Sequence, residues 1–473
     1  MRKLAKILLI SVLLISVIFS ASSCALIEKY FNTGDKSVPA HECEQYSVWK
    51  IEKYSTESRE GTKRLVCDYC GKKSDKASIS KVSRGLSYEI KDDGAWVTGI
   101  GDCSDTELVI PEKIDGREVV GIADMAFKEN TQIVSVIMPD AVKTVGYGAF
   151  SGASSLSSVI LSSELEILGE LAFRNCALTS VYIPGSIGNN FGYGAFSFCT
   201  PIKNVVLGEG VEFVQSNAFH SCENLEFISL PSTLKEISNA FYGAENLKTV
   251  NFRGHIGQFC ELETTPNSLG GTQSYVTFYS ATILVGGEPI PENVVIPDGT
   301  TKITSRKFWC MDIKSVKIPD SVTTIGNEAF AHCSKLEGVE FGKGIKSIGS
   351  YAFRGCEKIE KIIIHDGIET IGHGAFQECK GLKSVEIGEG LEVLEASTLE
   401  GLASLEALKL PSTLTSYKYP IFLFNTKLQN VYYGGTVEQW FAFMESSGYS
   451  CDDFDKVRVH CADGEIYDNE VVE

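Results

Sequence analysis

Thiols carry most of the chemistry this sequence could perform, and their spacing sorts them into three groups. His41-Glu-Cys43 is followed by Cys67-Asp-Tyr-Cys70-Gly71. A Cys-x-x-Cys-Gly knuckle can set two thiolates on one metal, and His-x-Cys can complete a tetrahedron. His41, Cys43, Cys67 and Cys70 are therefore a candidate structural zinc site. A disulfide within this group, or plain thiols, are the competing readings; a redox enzyme is disfavoured because no strand–helix pattern surrounds the pair. In the second group, Cys176, Cys199, Cys222, Cys333, Cys356 and Cys379 each stand three residues after a recurring Phe. Stacked about 4.8 Å apart they are close enough to bridge, but side chains pointing the same way make a poor disulfide geometry. They are expected to be buried structural thiols, acting as small hydrophobes. Cys451 and Cys461 could pair near the C-terminal end, and their spacing does not decide it. The third group is Cys24 alone, behind an apolar run.

Catalytic constellations are missing from the sequence. No G-x-S-x-G elbow, H-E-x-x-H helix or phosphate-binding glycine loop occurs. The seven His are scattered: His220 and His332 follow the repeat Phe, whereas His365 ends a strand. The expectation is a protein that is not an enzyme and needs no cofactor beyond the possible zinc. Hydrophobic residues make up 43 % and charged residues 22 %, which excludes wholesale disorder. The net charge is −18. Residues 1–23 hold Arg2, Lys3 and Lys6 and no acid, so the remainder has 40 bases against 61 acids, or −21. Such a surface repels phosphate backbones, and no nucleic-acid partner is expected.

Met1 to Lys6 is a basic start, Ile7 to Phe19 is almost continuously apolar, and Ala21-Ser22-Ser23 precedes Cys24. That order reads as a secretory signal rather than a membrane span, since the run from Ile7 to Ser23 is at the short limit for crossing a bilayer. Ala-Ser-Ser-Cys resembles a bacterial lipobox, although the usual Leu is replaced at its first position. The resemblance implies cleavage before Cys24 and diacylation of its sulfur, hence an extracytoplasmic chain lipid-anchored at the cell membrane.

Positioning of everything after Cys24 falls to a repeat. Ala-Phe pairs end at Phe127, Phe150, Phe173, Phe196 and Phe219, 23 residues apart, and Phe241 follows at 22. A second run is Phe308, Phe330, Phe353, Phe376 and Leu399. Intervening columns recur as well: Cys333, Leu336, Val339, Phe341, Ile345, Ile348 and Gly349 lead to Ala352-Phe353. Val-x-Ile alternates as a short strand, Pro often ends it, Ile-Gly makes a second inward contact and Ala-Phe closes the unit. One unit cannot bury its apolar side alone, but stacked units share a core. These motifs resemble the BspA-like leucine-rich repeats of bacterial surface proteins. The resemblance implies a β-rich, right-handed solenoid of 22–23-residue units with a parallel sheet along one face. Trp49 to Gly71 is similar to a small module found beside such repeats in gut-bacterial surface proteins. That module has a middle Cys where this chain has Ser55, and it lacks Cys43.

The expected organisation is a signal peptide at 1–23, a linker at 24–40, the Cys/His module at 41–80 and an N-terminal cap at 86–125. Repeats follow at 126–252, an insertion at 253–290, repeats again at 291–425 and a C-terminal cap at 426–473. Phe252-Arg-Gly-His-Ile-Gly-Gln-Phe259 and Tyr433-Gly-Gly-Thr-Val-Glu-Gln-Trp440 share a Gly-x-[Ile/Val]-x-Gln-aromatic core and read as one helix-containing element used twice.

The middle residue of Val-x-Ile faces outward. In the first run that row is Ile137, Ile160, Tyr182 and Val206, then Ser229 and Asn251; in the second it is Lys317, Glu340, Ile363, Glu386 and Lys409. The apolar row Ile137, Ile160, Tyr182 and Val206 is the expected partner-binding surface, although β-branched residues also favour strands in their own right. The function expected is binding or adhesion to an extracellular protein or glycan, with a structural envelope spacer as the alternative.

Overall fold

The computed structural model describes residues 47–67, 71–265, 281–446, 457–467 and 470–472. It forms two units: one runs to Val211 with Ala218–Ser229 and Ala244–Asn246, and the other comprises Glu212–Asn217, Leu230–Gly243 and everything from Leu247.

The first unit opens with an antiparallel meander, β1 (Ser47–Lys53), β2 (Gly61–Cys67) and β3 (Lys73–Ile79), in which Ser47 pairs with Cys67 and Gly61 with Ile79. A hairpin of Ser87–Lys91 with Gly94–Gly99 follows, and the second strand of that hairpin pairs in parallel with Arg117–Ile122. From there each repeat contributes a Val-x-Ile strand and a two-residue strand at Ile-Gly. Val109, Ile137 and Ile160 stand side by side in one parallel sheet, and Tyr182, Val206 and Ser229 in another. The parallel-sheet β-solenoid expected from the repeats is what each unit contains.

Aromatic stacking sets the core. Phe127, Phe150, Phe173, Phe196 and Phe219 form a ladder with ring centroids 5.0, 5.0, 5.4 and 5.6 Å apart and nearly parallel planes. In the second unit Phe308, Phe330, Phe353 and Phe376 repeat it at 5.0, 5.1 and 5.6 Å. Successive repeats place the same ring at the same depth, so offset stacking adds to apolar burial. The turn carrying each Phe holds left-handed residues two places before and two places after the ring. Around Phe353, for example, Tyr351 has φ 58° and Gly355 φ 70°. This backbone aims the Phe amide at the next turn, as in Phe353 N–H to the Ala375 carbonyl at 2.8 Å. The left-handed cost of about 1–2 kcal/mol at a non-glycine residue is tolerated because bonds between turns over-determine the shape.

The cysteine column lies against this ladder. Cys176, Cys199, Cys222, Cys333, Cys356 and Cys379 are buried thiols without disulfides, as expected. Each donates its S–H to the carbonyl of the Phe one repeat earlier, at 3.2, 3.1, 3.2, 2.9, 3.1 and 3.0 Å respectively. Asn425 takes the same place in the last repeat, its amide donating to Leu399 O at 2.8 Å. The column supplies a second donor to carbonyls of which several, such as Phe150 O, already accept the backbone N–H three residues on.

The element read twice in the sequence is present twice. α1 (Ile256–Glu261) and α2 (Val437–Glu445) both open with a capping box, His255 with Gln258 and Thr436 with Gln439. Gly254 and Gly435 are required by the same close approach: a Cβ would lie 2.5 Å from Phe252 and 2.7 Å from Gln258 in one, and 2.6 Å from Tyr433 and 2.7 Å from Gln439 in the other. Both helices lie in the second unit. Phe259 of α1 sits 6.0 Å from Phe252 and 6.2 Å from Phe308, so the aromatic core passes through the insertion. Trp440 of α2 packs 5.4 Å from Tyr433.

Candidate binding surface

The apolar outward row of the first unit points away from the solenoid core, but it is not open. Ile137 and Val206 are each only 3 % exposed. Ile79 of β3 joins Val109 and Ile137 in a buried cluster, with Ile51, Val82 and Ile160 packed against it. This corrects the expectation of a free apolar face: β1–β3 already covers part of it. Val48, Ile51 and Tyr54 are interleaved with charge in Val-Trp-Lys-Ile-Glu-Lys-Tyr, a strand with apolar side chains to bury.

Polar contacts hold the module beside the row. Ser83 N–H donates to Val109 O at 2.9 Å, and Val109 N–H donates to Ser83 Oγ at 3.1 Å. The Ser80 hydroxyl donates to the Glu107 carboxylate, and Lys50 Nζ lies 5.5 Å from the centre of the Tyr182 ring. The Tyr54 phenol is hydrogen-bonded to Asp140, and burial followed by that bond pushes the phenol well above its ordinary value. Burial works to raise the Asp140 carboxyl, but hydrogen bonds from Tyr54 and Ser163 and the charge of Lys143 outweigh it and hold the group low. Ser163 Oγ donates to Asp140 at 2.7 Å. Asp140 is therefore a fixed anion at the edge of the row.

Packing between module and row is incomplete. A cleft of about 380 Å³ remains, walled on one side by Val48, Trp49, Lys50 and Tyr54 and on the other by Ile160, Tyr182, Asn204 and Val206, with Asp140 at its rim. The lining combines Trp49, Tyr54 and Tyr182 with Ser47, Lys50, Asp140, Ser163 and Asn204, and its exposed surface is more polar than apolar. Trp49, Tyr54 and Asp140 were not among the candidates from sequence. No strand was expected at β1, and nothing local to it says where it docks.

Outward residues of the second unit behave differently. Lys317 pairs with Glu340 at 3.5 Å and Glu386 with Lys361 at 2.9 Å, while Ile363 stays 40 % exposed. The row is a charge-paired solvent face.

A model of the BspA type leucine rich repeat region, in six copies, matches residues 120–248 and 301–429, more than half of the chain. The chain belongs to the BspA-type leucine-rich repeat family. The Phe ladder and Cys column are thus the interior of BspA-type repeats. No curated protein matches the chain. Among solved structures, a leucine-rich repeat protein from Bacteroides ovatus ATCC 8483 is 19 % identical, covering 74 % of this chain and 98 % of its own, with a TM-score of 0.42. A leucine rich cell surface protein from Faecalibacterium prausnitzii A2-165 is 23 % identical, covering 79 % and 99 %, with a TM-score of 0.37. The pneumococcal vaccine antigen PcpA is 20 % identical, covering 78 % and 98 %, with a TM-score of 0.42.

Of the candidate metal ligands, His41, Cys43 and Cys70 lie outside the described residues, as do Cys24 and Cys451. Cys67 ends β2 and is buried. The chain turns back directly after it: Gly71 N–H donates to Cys67 O at 2.8 Å, Cys67 N–H to Lys72 O at 2.9 Å, and Gly71 has φ 73°. Among the described residues no group of three or more His, Cys, Asp or Glu side chains converges on a metal-sized position.

Proposed function

We propose that this protein is an extracytoplasmic binding protein, anchored by lipid on Cys24, which takes an extracellular protein or glycan at the cleft between β1–β3 and the first repeat face. The observation that carries the reading is the cleft itself, with Trp49, Tyr54 and Tyr182 beside Asp140 and Asn204. Paired aromatic walls and hydrogen-bonding groups suit either a sugar ring or a peptide side chain. Membership of a repeat family without catalytic motifs supports recognition rather than catalysis. The net charge of −18 argues against nucleic acid as the ligand.

His41, Cys43, Cys67 and Cys70 are the residues that would hold a structural zinc, which would fix the module's first strand to its knuckle. Metal analysis of anaerobically purified protein tests this; a mapped disulfide among those cysteines without metal decides against it.

The binding reading is tested by screening the intact chain on a glycan array and against extracellular proteins, then repeating each hit with Tyr182→Ser. Hits that vanish with this variant support the cleft. Hits that all persist overturn it. Cys24→Ser tests the anchor separately: release from the membrane fraction is expected, and unchanged retention with unchanged mass contradicts it.

A further inference from the structure

Arg64, Lys76 and Arg84 form ion pairs within the module, whose net charge is opposite to that of the repeats beside it. The module as bounded at 41–80 has eight Lys and Arg against seven Asp and Glu, or +1. Residues 47–85, which omit Glu42 and Glu44 and add Lys81 and Arg84, have ten against five, or +5; residues 86–211 contain seven against sixteen, or −9. Cross-strand register then concentrates the positive charge. Lys50 pairs opposite Arg64, Arg64 opposite Lys76, and Lys73 lies opposite the neighbouring Val66. Like charges directly across a sheet work against its pairing, so folding gains nothing from this row. Glu52 is the acid among them, 2.6 Å from Arg64 and 3.7 Å from Lys76. Its hydrogen bond from Arg64, with the charges of Lys76 and Lys73 nearby, holds its carboxyl below the usual range. Counting Asp75, between Lys73 and Lys76 in β3, two carboxylates stand against these three cations. Lys73 and Lys76 are solvent-exposed, and Arg64 and Lys76 pair with Glu52 and Arg84 with Glu57.

We propose that this basic face of β1–β3, centred on Arg64, Lys73 and Lys76, docks on the anionic headgroups of a phospholipid bilayer. The inference rests on the lipid-anchor reading of Cys24 for its geometry. Twenty-two residues separate Cys24 from Ser47, a reach of at most about 75 Å when extended and about 26 Å as a flexible coil. The described strands of the module then lie within that reach of the bilayer, and a cationic face there is the second signal that makes acyl anchoring durable. Screening confines the attraction to about 8 Å at physiological salt, so the acidic repeats do not cancel it once the face is in contact.

The test uses the chain from residue 25 onward, which lacks both the apolar leader and the lipidated cysteine and so is independent of the anchor. Co-sedimentation is measured with phosphatidylcholine vesicles and with vesicles containing phosphatidylglycerol. Binding to the anionic vesicles alone is expected, weakening as salt rises. Lys73→Glu with Lys76→Glu should lower it about tenfold or more, while Lys409→Glu with Lys427→Glu, the same change in net charge on the second unit, should lower it less. If the first pair of substitutions disturbs the melt, Lys73→Gln with Lys76→Gln carries the comparison. The proposal is overturned by no binding to anionic vesicles, by equal binding to both vesicle types or by equal loss in the two variant pairs. It is also overturned if soluble polyphosphate is bound and vesicles are not.

Discussion

At the scale of single residues, the repeat interior combines apolar stacking with one buried polar contact per turn. Phe353→Ala removes a ring stacked on Phe330 and Phe376 and is expected to cost about 3–5 kcal/mol in denaturant unfolding. A loss below about 1 kcal/mol would mean that the ladder is not structural. The thiols add a pH dependence. Burial pushes Cys199 and Cys333 up to about 12 and raises Cys176, Cys222 and Cys356 as well. Because these folded-state values lie above the unfolded value of about 9, each thiol's contribution is intact below pH about 9. It is lost as pH rises further, at about 1.4 kcal/mol per unit. Stability measured in urea should therefore fall between pH about 9 and about 11, and the fall should be shallower in Cys199→Ala. Lys307 has the opposite sign. It is fully buried, donates to Leu262 O at 2.6 Å and is held to about 8, first by desolvation. Its unfavourable burial is present below pH about 8 and relieved as pH rises toward about 10.5. The Phe and Cys columns were legible in the sequence because each recurs at a fixed offset. The S–H bonds and the non-glycine left-handed residues were not, since side chains as different as Leu171, Arg306 and Tyr351 adopt that backbone.

Among the elements, the two capped helices show how far a local pattern carries. Gly-x-[Ile/Val]-x-Gln-aromatic encodes a close approach, a capping box and a buried ring within six residues, so α1 and α2 were readable as one device. Thr436→Ala should cost about 1 kcal/mol and raise hydrogen exchange in residues 437–445 while leaving the Phe ladder protected; uniform loss of protection would contradict a local cap. The β1–β3 meander is the contrasting element. Its strands were consistent with the sequence pattern, but its seat on Val109 and Ile137 depends on contacts far apart in sequence. Ile137→Ser should raise exchange across residues 47–67 and 73–79 ahead of the repeats, because it removes a shared member of their buried cluster. Equal destabilisation of repeats and module would mean that the module is not held through this cluster.

For the molecule as a whole, Ile137 and Ile160 stand side by side in one parallel sheet and Tyr182 and Val206 in another, and β1–β3 packs over part of that row. An apolar face covered in part by a segment of the same chain becomes a wall of the cleft, and the cleft brings together aromatic and polar groups that are scattered over residues 49–206 in sequence. The most direct measurement of that claim is the affinity of a ligand recovered from the screens, determined by calorimetry for three proteins: the unaltered chain, Trp49→Ala with Tyr182→Ala, and a control carrying Ser at Lys317, Glu340, Glu386 and Lys409. The cleft pair should weaken binding about tenfold or more, with the melt unchanged and the control within about threefold. Equal or greater loss in the charged control would place recognition on the second unit and contradict the account.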